Sequence, residues 1–237
     1  MMNGYLHRGD GVPAPPVRRH AIAPAVTDWS VLADTFVRAV EVDALTRYAE
    51  SMHLTVAVLR ELRTGWDGEA WTTPMRNGKL RIIGIQRRFP DGTKRCVLGS
   101  KPGLFVPDSL NGENPIYVAE GASDTAALAG IGLPVLGLFN AGGNAEQVIQ
   151  LLDGRGAILV ADNDEPAPLD RVGGAERTAA FVGRLRNQGI NLQVVYPVGG
   201  KDARAAMANG WRPGQTTKDG PSRAGHAIGM GDVQLPF

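Results

Sequence analysis

The chain has 237 residues, of which 43% are hydrophobic, and a formal net charge of +1. It is therefore longer than one typical domain and can bury a sizeable core. No apolar stretch approaches the length of a membrane span, and the N-terminal region, with Arg8, Arg18 and Arg19 among prolines, lacks the apolar core of a signal peptide. Cys96 is the single cysteine, which excludes an internal disulfide and a Cys-rich zinc site. We expect a soluble, cytoplasmic protein that makes no membrane contact.

The N-terminal part of the chain divides into an arm and a small helical unit. Residues 1–27 are rich in proline and favour a flexible arm. From about residue 28 to 63 the apolar residues have helical spacing, and Asp28 or Ser30 is placed to cap the first helix. The apolar positions are Leu32, Phe36 and Val40 in that helix and Leu54, Val58, Leu59 and Leu62 in a second one.

A basic, strand-rich segment follows and completes a predicted module over residues 28–110. Strands over 80–87 and 94–98 flank the turn sequence 89–93, which contains Pro-Asp-Gly, so we expect a twisted hairpin. Eight basic residues between positions 76 and 101 are opposed by Asp91 alone: Arg76, Lys79, Arg81, Arg87, Arg88, Lys94, Arg95 and Lys101. Such a surface is typical of proteins that bind polyanions, and a solvated hairpin face is the alternative.

Strands and helices alternate over residues 111–210, which predicts a parallel sheet flanked by helices. Ser123 or Asp124 is expected to cap the first helix, and Asn144 with Gln147 has capping-box spacing at the start of the second. The loop 140–144 either binds phosphate through its backbone or is a plain turn. The expected strands are 116–119, 134–138, 157–161 and 193–196, and the expected helices are 123–129, 144–152, 174–188 and 203–209.

Acidic residues follow two of these strands. Glu120 ends the first strand, and Asp162 and Asp164 follow the third, where they point to the same side. Ligands of parallel sheets gather beyond the carboxyl ends of the strands. Like charges in such proximity need a cation, and Mg²⁺ (or Mn²⁺) with substrate phosphates suits carboxylate ligands. Asp202 either holds a second cation or caps the helix that follows it.

Three motifs in order resemble the TOPRIM domain shared by bacterial primases, topoisomerases and some small nucleases. They are Glu120-Gly121, Asp162-Asn163-Asp164 and Gly200-Lys201-Asp202. The resemblance implies a Rossmann-like α/β sheet in which Glu120, Asp162 and Asp164 are catalytic and bind metal together with Asp202. It leaves open whether Glu120 is a general base or a metal ligand, and it makes Lys201 a phosphate contact.

The basic module resembles, more loosely, the subdomain that precedes TOPRIM in primases and related phage and plasmid replication proteins. The likeness implies that Arg87, Lys94 and Arg95 contact template or nucleotide phosphate, with Arg88 and Lys101 in the same basic set. The zinc ligands that primases generally carry ahead of this region are absent from the sequence.

These resemblances imply a DNA primase-like nucleotidyltransferase that makes short RNA primers from nucleoside triphosphates on single-stranded DNA. A nuclease that hydrolyses DNA or RNA is the second hypothesis, and a non-catalytic nucleic-acid-binding replisome module is the third. Residues 211–237 form an expected flexible tail ending in Pro236-Phe237, which resembles the partner-recruiting tail of single-stranded-DNA-binding proteins. A replicative helicase or a single-stranded-DNA-binding protein is also an expected partner.

Overall fold

The computed structural model describes residues 27–140, 142–163 and 174–214. Three sequence predictions concern residues outside these ranges: the arm before residue 27, the carboxylate of Asp164, and the tail after Gly214. Within the described ranges, no helix is both long enough and apolar enough to cross a membrane.

The N-terminal unit contains three short helices, α1 (Trp29–Arg38), α2 (Val42–Ser51) and α3 (Val56–Glu61). Asp28 caps α1, since its Oδ1 accepts hydrogen bonds from the backbone N–H groups of Ser30 and Val31 at 3.0 and 3.1 Å. Thr55 caps α3 through its hydroxyl oxygen. The first and third helices were predicted, whereas α2 was not predicted separately.

The described strands form one continuous sheet. Its antiparallel half contains β1 (Gly65–Trp66), β2 (Trp71–Arg76), β3 (Ile82–Arg88), β4 (Lys94–Cys96) and β5 (Leu104–Phe105). Its parallel half contains β6 (Ile116–Glu120), β7 (Val135–Leu138), β8 (Ala157–Val160) and β9 (Leu192–Val195). The order is β4-β3-β2-β5-β7-β6-β8-β9, with β1 paired to β2. Because β5 pairs with both β2 and β7, the basic module and the parallel half share a sheet.

Helices cover both faces of the parallel half, because its strands are apolar on both sides. One face packs against α5 (Ala145–Leu152) and α6 (Gly174–Asn187), with Leu152, Phe181 and Leu185 in the core between them. The other face packs against α4 (Gly121–Ala129) and α7 (Ala203–Ala208). This arrangement confirms the predicted α/β class.

The register of the antiparallel half assigns its basic residues to two faces. Trp71 pairs with Arg88, which pairs with Lys94, so these three side chains share one face, named here the Trp71 face. The opposite face carries Arg87 and Arg95, which are directly paired. Met75 lies two pleats from Trp71 and packs against α3 and α4, so these helices cover the Trp71 face.

Two predicted helix caps are wrong. Helix α4 begins at Gly121, immediately after β6, and its N-cap residue is Glu120, so neither Ser123 nor Asp124 caps it. The capping box of α5 does not form: Asn144 adopts a left-handed conformation with φ of 61°, and its side-chain NH2 donates to the Gly103 carbonyl at 3.1 Å. In both cases a contact distant in sequence determines the side-chain position, which a local pattern does not encode.

Candidate active site

Glu120 and Asp162 lie at one edge of the sheet. Glu120 is the last residue of β6, and Asp162 follows β8 by two positions. Strands β6 and β8 are adjacent and parallel, with Val118 opposite Leu159. The two residues are therefore delivered to the same edge, as the motif spacing predicts.

Lys94 reaches this edge from the hairpin. Its amino group lies 3.8 Å from the point that a Cβ on Gly121 would occupy. Burial and the nearby charge of Arg88 lower the pKa of Lys94, while the carboxylates of Asp124, Asp162 and Asp202 oppose that shift. One lysine from β4 is thus electrostatically coupled to three acids from the parallel half.

Asp124 is a buried acid that the sequence analysis did not assign to the site. It lies in the first turn of α4 with 5% exposure, and its Oδ1 accepts a hydrogen bond from the Arg204 backbone N–H at 2.8 Å. Burial, followed by repulsion from Asp202, raises the pKa of Asp124 to about 6. The sequence does contain an indication, because α4 is apolar on nearly all sides and an acid in such a helix is expected to be buried.

Asp202 caps α7. Its Oδ1 accepts a hydrogen bond from the Ala205 backbone N–H at 2.7 Å, which confirms the cap interpretation. Its role as a metal ligand stays a prediction. Asp124 accepts a hydrogen bond from the Arg204 N–H, one residue before Ala205. The carboxylates of Asp124 and Asp202 therefore meet at the N-terminus of α7, where the backbone N–H groups partly offset their mutual repulsion.

Asn163, the middle residue of the Asp162-Asn163-Asp164 motif, fixes the loop that carries Lys201 and Asp202. Its side-chain NH2 donates to the carbonyl oxygens of Pro197 and Gly200, at 2.6 and 2.9 Å. Its backbone N–H donates to the Lys201 carbonyl at 2.8 Å. Asn163, which lies between Asp162 and Asp164, therefore connects the second motif to the Gly200-Lys201-Asp202 motif by hydrogen bonds.

The predicted phosphate-binding residues do not all face this edge. Arg87 is bound to Asp67 and Glu69, and its guanidinium lies 4.7 Å from the centre of the Phe89 ring. Arg95 lies over the same ring at 5.7 Å. Arg88 shares the Trp71 face with Lys94, whereas Lys101 and Lys201 are exposed in loops. The structure therefore brings Arg88 and Lys94, but not Arg87 and Arg95, to the side of the acids.

Carboxylate chemistry at this edge fits a divalent cation shared with substrate. Among residues 27–140, 142–163 and 174–214, no three His, Cys, Asp or Glu side chains are grouped closely enough to hold a metal ion. Mg²⁺ is usually held by one or two carboxylates together with phosphates and water, so such a group is not required. Burial, followed by repulsion from Asp202, raises the pKa of Asp124, and a divalent cation would relieve the repulsion.

The fold is similar to that of solved primase catalytic cores. A structure described as the DnaG catalytic core has 17% identity and a TM-score of 0.60, with 77% of this chain and 74% of that chain covered. The E. coli primase catalytic core has 18% identity and a TM-score of 0.57, with 76% and 74% covered. A primase domain from Pseudomonas aeruginosa has 14% identity and a TM-score of 0.59, with 77% and 74% covered.

No protein-family model matches the chain, and neither does any curated protein. The likeness at these identities is one of fold. The chain therefore has the fold of a primase catalytic core, which confirms the architecture implied by the three motifs.

Proposed function

We propose that this chain is the catalytic core of a primase-like nucleotidyltransferase that joins ribonucleotides into short RNA primers on single-stranded DNA. The observation that carries the proposal is the position of the Lys94 amino group, 3.8 Å from the point that a Gly121 Cβ would occupy, at the edge where β6 and β8 bring Glu120 and Asp162 together. The fold is shared with primase catalytic cores. A cation next to carboxylates at the edge of a parallel sheet matches a substrate that brings phosphates and a divalent metal together.

The chemistry assigns a distinct task to each group. A ribonucleotide 3′-hydroxyl gives up its proton, for which Glu120 is a candidate acceptor, and attacks the α-phosphorus of a nucleoside triphosphate. The bond between the α-phosphorus and the bridging oxygen breaks, and pyrophosphate leaves as the new phosphodiester bond forms. Glu120, Asp162 and Asp164 are the proposed catalytic carboxylates, and Asp202 is a further ligand. Bound Mg²⁺, or Mn²⁺, would offset the charge that develops on the phosphoryl oxygens.

Lys94 and Arg88 supply the fixed positive charge. The Lys94 amino group lies beside Gly121 at the acidic edge, where it is placed to bind an incoming phosphate as a point charge. The Asn163 hydrogen bonds hold Lys201 at the same edge, where it is a second proposed phosphate contact.

The decisive experiment measures nucleotide incorporation. The protein is incubated with labelled ribonucleoside triphosphates, single-stranded DNA and Mg²⁺ or Mn²⁺. The double variant Asp162→Asn/Asp164→Asn is the test, and Asp153→Asn is the matched control, because Asp153 is exposed at the end of α5 that precedes β8.

Labelled oligoribonucleotides from the parent and the control, but not from the double variant, support the proposal. Shortened DNA or RNA in place of new product assigns the carboxylates to a nuclease. Binding of single-stranded DNA without either product indicates the replisome-module hypothesis. Equal synthesis by the double variant and the parent contradicts the catalytic assignment.

The template and the partners are part of the same proposal. Single-stranded DNA and nucleoside triphosphates are the proposed substrates, and a replicative helicase or a single-stranded-DNA-binding protein is the proposed partner. A cytoplasmic location fits a replication function. The solved DnaG primase catalytic domain bound to single-stranded DNA has a similar fold, with 16% identity and a TM-score of 0.59.

A further inference from the structure

A cleft of about 420 Å³ lies between α2 and the turn of the basic hairpin. Its walls include Arg47, Tyr48, Ser51, Trp71, Arg88 and Pro90. None of these residues except Arg88 enters the chemistry assigned to the acidic edge. The cleft therefore needs its own explanation.

An aromatic stack forms one wall of the cleft. The rings of Tyr48 and Trp71 are nearly parallel, with centroids 4.3 Å apart and an interplanar angle of 9°. Trp66 meets Trp71 edge to face at 5.1 Å. The apolar cluster of Leu45, Ala49 and Leu59 packs against Tyr48 and Trp71. Flat aromatic surface held this firmly is suited to stacking against a planar ligand.

Two arginines give the cleft positive charge. Arg47 is exposed on α2, one residue before Tyr48. Burial raises the pKa of the Tyr48 hydroxyl, and the charges of Arg88 and Arg204 oppose that shift, so Arg88 lies within electrostatic range of the aromatic wall. A planar aromatic wall beside two guanidinium groups matches a ligand with both a base and a phosphate.

The position of the cleft indicates which nucleotide it takes. Trp71, Arg88 and Lys94 are directly paired on three neighbouring strands, so Trp71 lies about 10 Å from Lys94 across the sheet. The nucleotide being joined must hold its α-phosphate at the carboxylates, near Lys94. Lys94 does not line the cleft, and a nucleotide whose phosphate lies between Arg47 and Arg88 holds that phosphate at the cleft, so it is not the reacting one.

We propose that the cleft binds an unpaired nucleotide of the single-stranded DNA template, with its base against Tyr48 and its phosphate between Arg47 and Arg88. This inference rests on the proposed function and specifies how the template is held beside the site. Stacking requires no particular base, so the cleft binds the template without reading its sequence.

The test is fluorescence anisotropy with a short fluorescein-labelled oligothymidylate, in EDTA and without nucleotides. Binding is measured over a range of salt concentrations for the parent and for Tyr48→Leu, Tyr48→Phe and Arg47→Ala. Arg60→Ala is the control, because Arg60 is an exposed arginine on the neighbouring helix α3 and does not line the cleft. Thermal unfolding of each variant establishes that it is folded.

Tyr48→Leu is expected to weaken binding about 5- to 100-fold without changing the salt slope, since it removes stacking and no charge. Arg47→Ala is expected to reduce the salt slope by about 0.7, the value for one phosphate contact on a single strand. Tyr48→Phe and Arg60→Ala should bind like the parent. If Tyr48→Leu does not fold, the salt slopes of oligonucleotide binding by Arg47→Ala and Arg60→Ala are compared to decide whether the cleft binds phosphate.

Two results overturn the inference. In the first, Tyr48→Leu and Arg47→Ala bind the oligonucleotide as tightly as the parent, which leaves the proposed function untouched. In the second, free ATP displaces the oligonucleotide from the parent but not from Tyr48→Leu, which makes the cleft a site for free nucleotide. Failure of the proposed function is separate, since it appears as absent synthesis in the incorporation assay whatever the binding result.

Discussion

Replacing Asp124 with asparagine should stabilise the protein near neutral pH while abolishing its activity. Burial and repulsion from Asp202 raise the pKa of this carboxyl from 3.8 to about 6 in the folded state. A raised pKa means that the ionised form is disfavoured by folding, by roughly 3 kcal/mol for this difference. The stability that the protonated Asp124 carboxyl contributes is therefore fully present below about pH 4 and is lost as the pH rises through 6.

Asp124→Asn removes the ionisation and keeps an oxygen that accepts from the Arg204 N–H. The pKa of about 6 already includes the stronger hydrogen bond of the carboxylate to this N–H, so no separate offset applies. We expect the variant to be close to the parent near pH 4 and to exceed its free energy of unfolding by roughly 3 kcal/mol at pH 7.5. Urea unfolding in EDTA at several pH values measures this difference, with Asp153→Asn as the control at an exposed position.

Mg²⁺ should reduce the stability difference between the two proteins. A cation bound only by the folded parent adds about 1.4 kcal/mol at ten times its dissociation constant, and the variant should lose that gain together with nucleotide incorporation. A stability difference that does not change with pH, or a variant less stable than the parent at pH 7.5, would refute the electrostatic account of Asp124.

Three further predictions concern other parts of the protein. Arg87→Ala should cost roughly 3 kcal/mol of stability at pH 7, because Asp67 is left buried without its arginine partner. The Arg87 contact and two backbone N–H groups hold the pKa of Asp67 below its usual value despite burial. The loss of stability should therefore shrink as the pH falls below 4, as urea unfolding would show. Asn163→Ala should raise the Mg²⁺ concentration that gives half-maximal incorporation, because it frees the loop that carries Lys201 and Asp202; an unchanged metal requirement would contradict this. Deleting residues 215–237 should preserve synthesis by the isolated protein. It should weaken, in a pull-down, a contact with a partner that binds the tails of single-stranded-DNA-binding proteins; lost synthesis without any partner would contradict a recruiting role.

The parallel half of the fold was predictable because β6, β7 and β8 are short, mainly apolar and buried runs. β9 is less buried, with Gln193 exposed, yet the observed bounds of all four strands differ from the predicted ones by at most one residue. The end of the folded region was placed too early, since Trp211 is buried against α7 although composition assigned it to the tail. A single large apolar residue, Trp211, among glycines and prolines is too weak a pattern to predict that the folded region extends beyond residue 210.

The site was only partly predictable, because its electrostatics depend on contacts between distant segments. Asp124 resembles a helix cap in sequence, but its hydrogen bond goes to a backbone N–H 80 residues later. Arg87 and Arg88 are adjacent arginines in the same strand, so the sequence alone does not distinguish their roles. Only the register, and the acids Asp67 and Glu69 from the preceding turn, separate the arginine that stabilises the fold from the one that faces the acids.

The position of Lys94 requires a strongly coiled sheet. Strand β4 is five strand spacings from β6 in the sheet order, about 24 Å if the sheet were flat, which is far beyond the reach of a lysine side chain. A twist of about 20° or more per strand accumulates to a rotation near 100° over those steps and turns the hairpin across the Trp71 face. The short strand β5 transmits this twist, since it alone links the described antiparallel and parallel strands. The basic hairpin therefore borders the acidic edge, and the coiling of one continuous sheet brings Lys94 to the carboxylates that we propose as metal ligands.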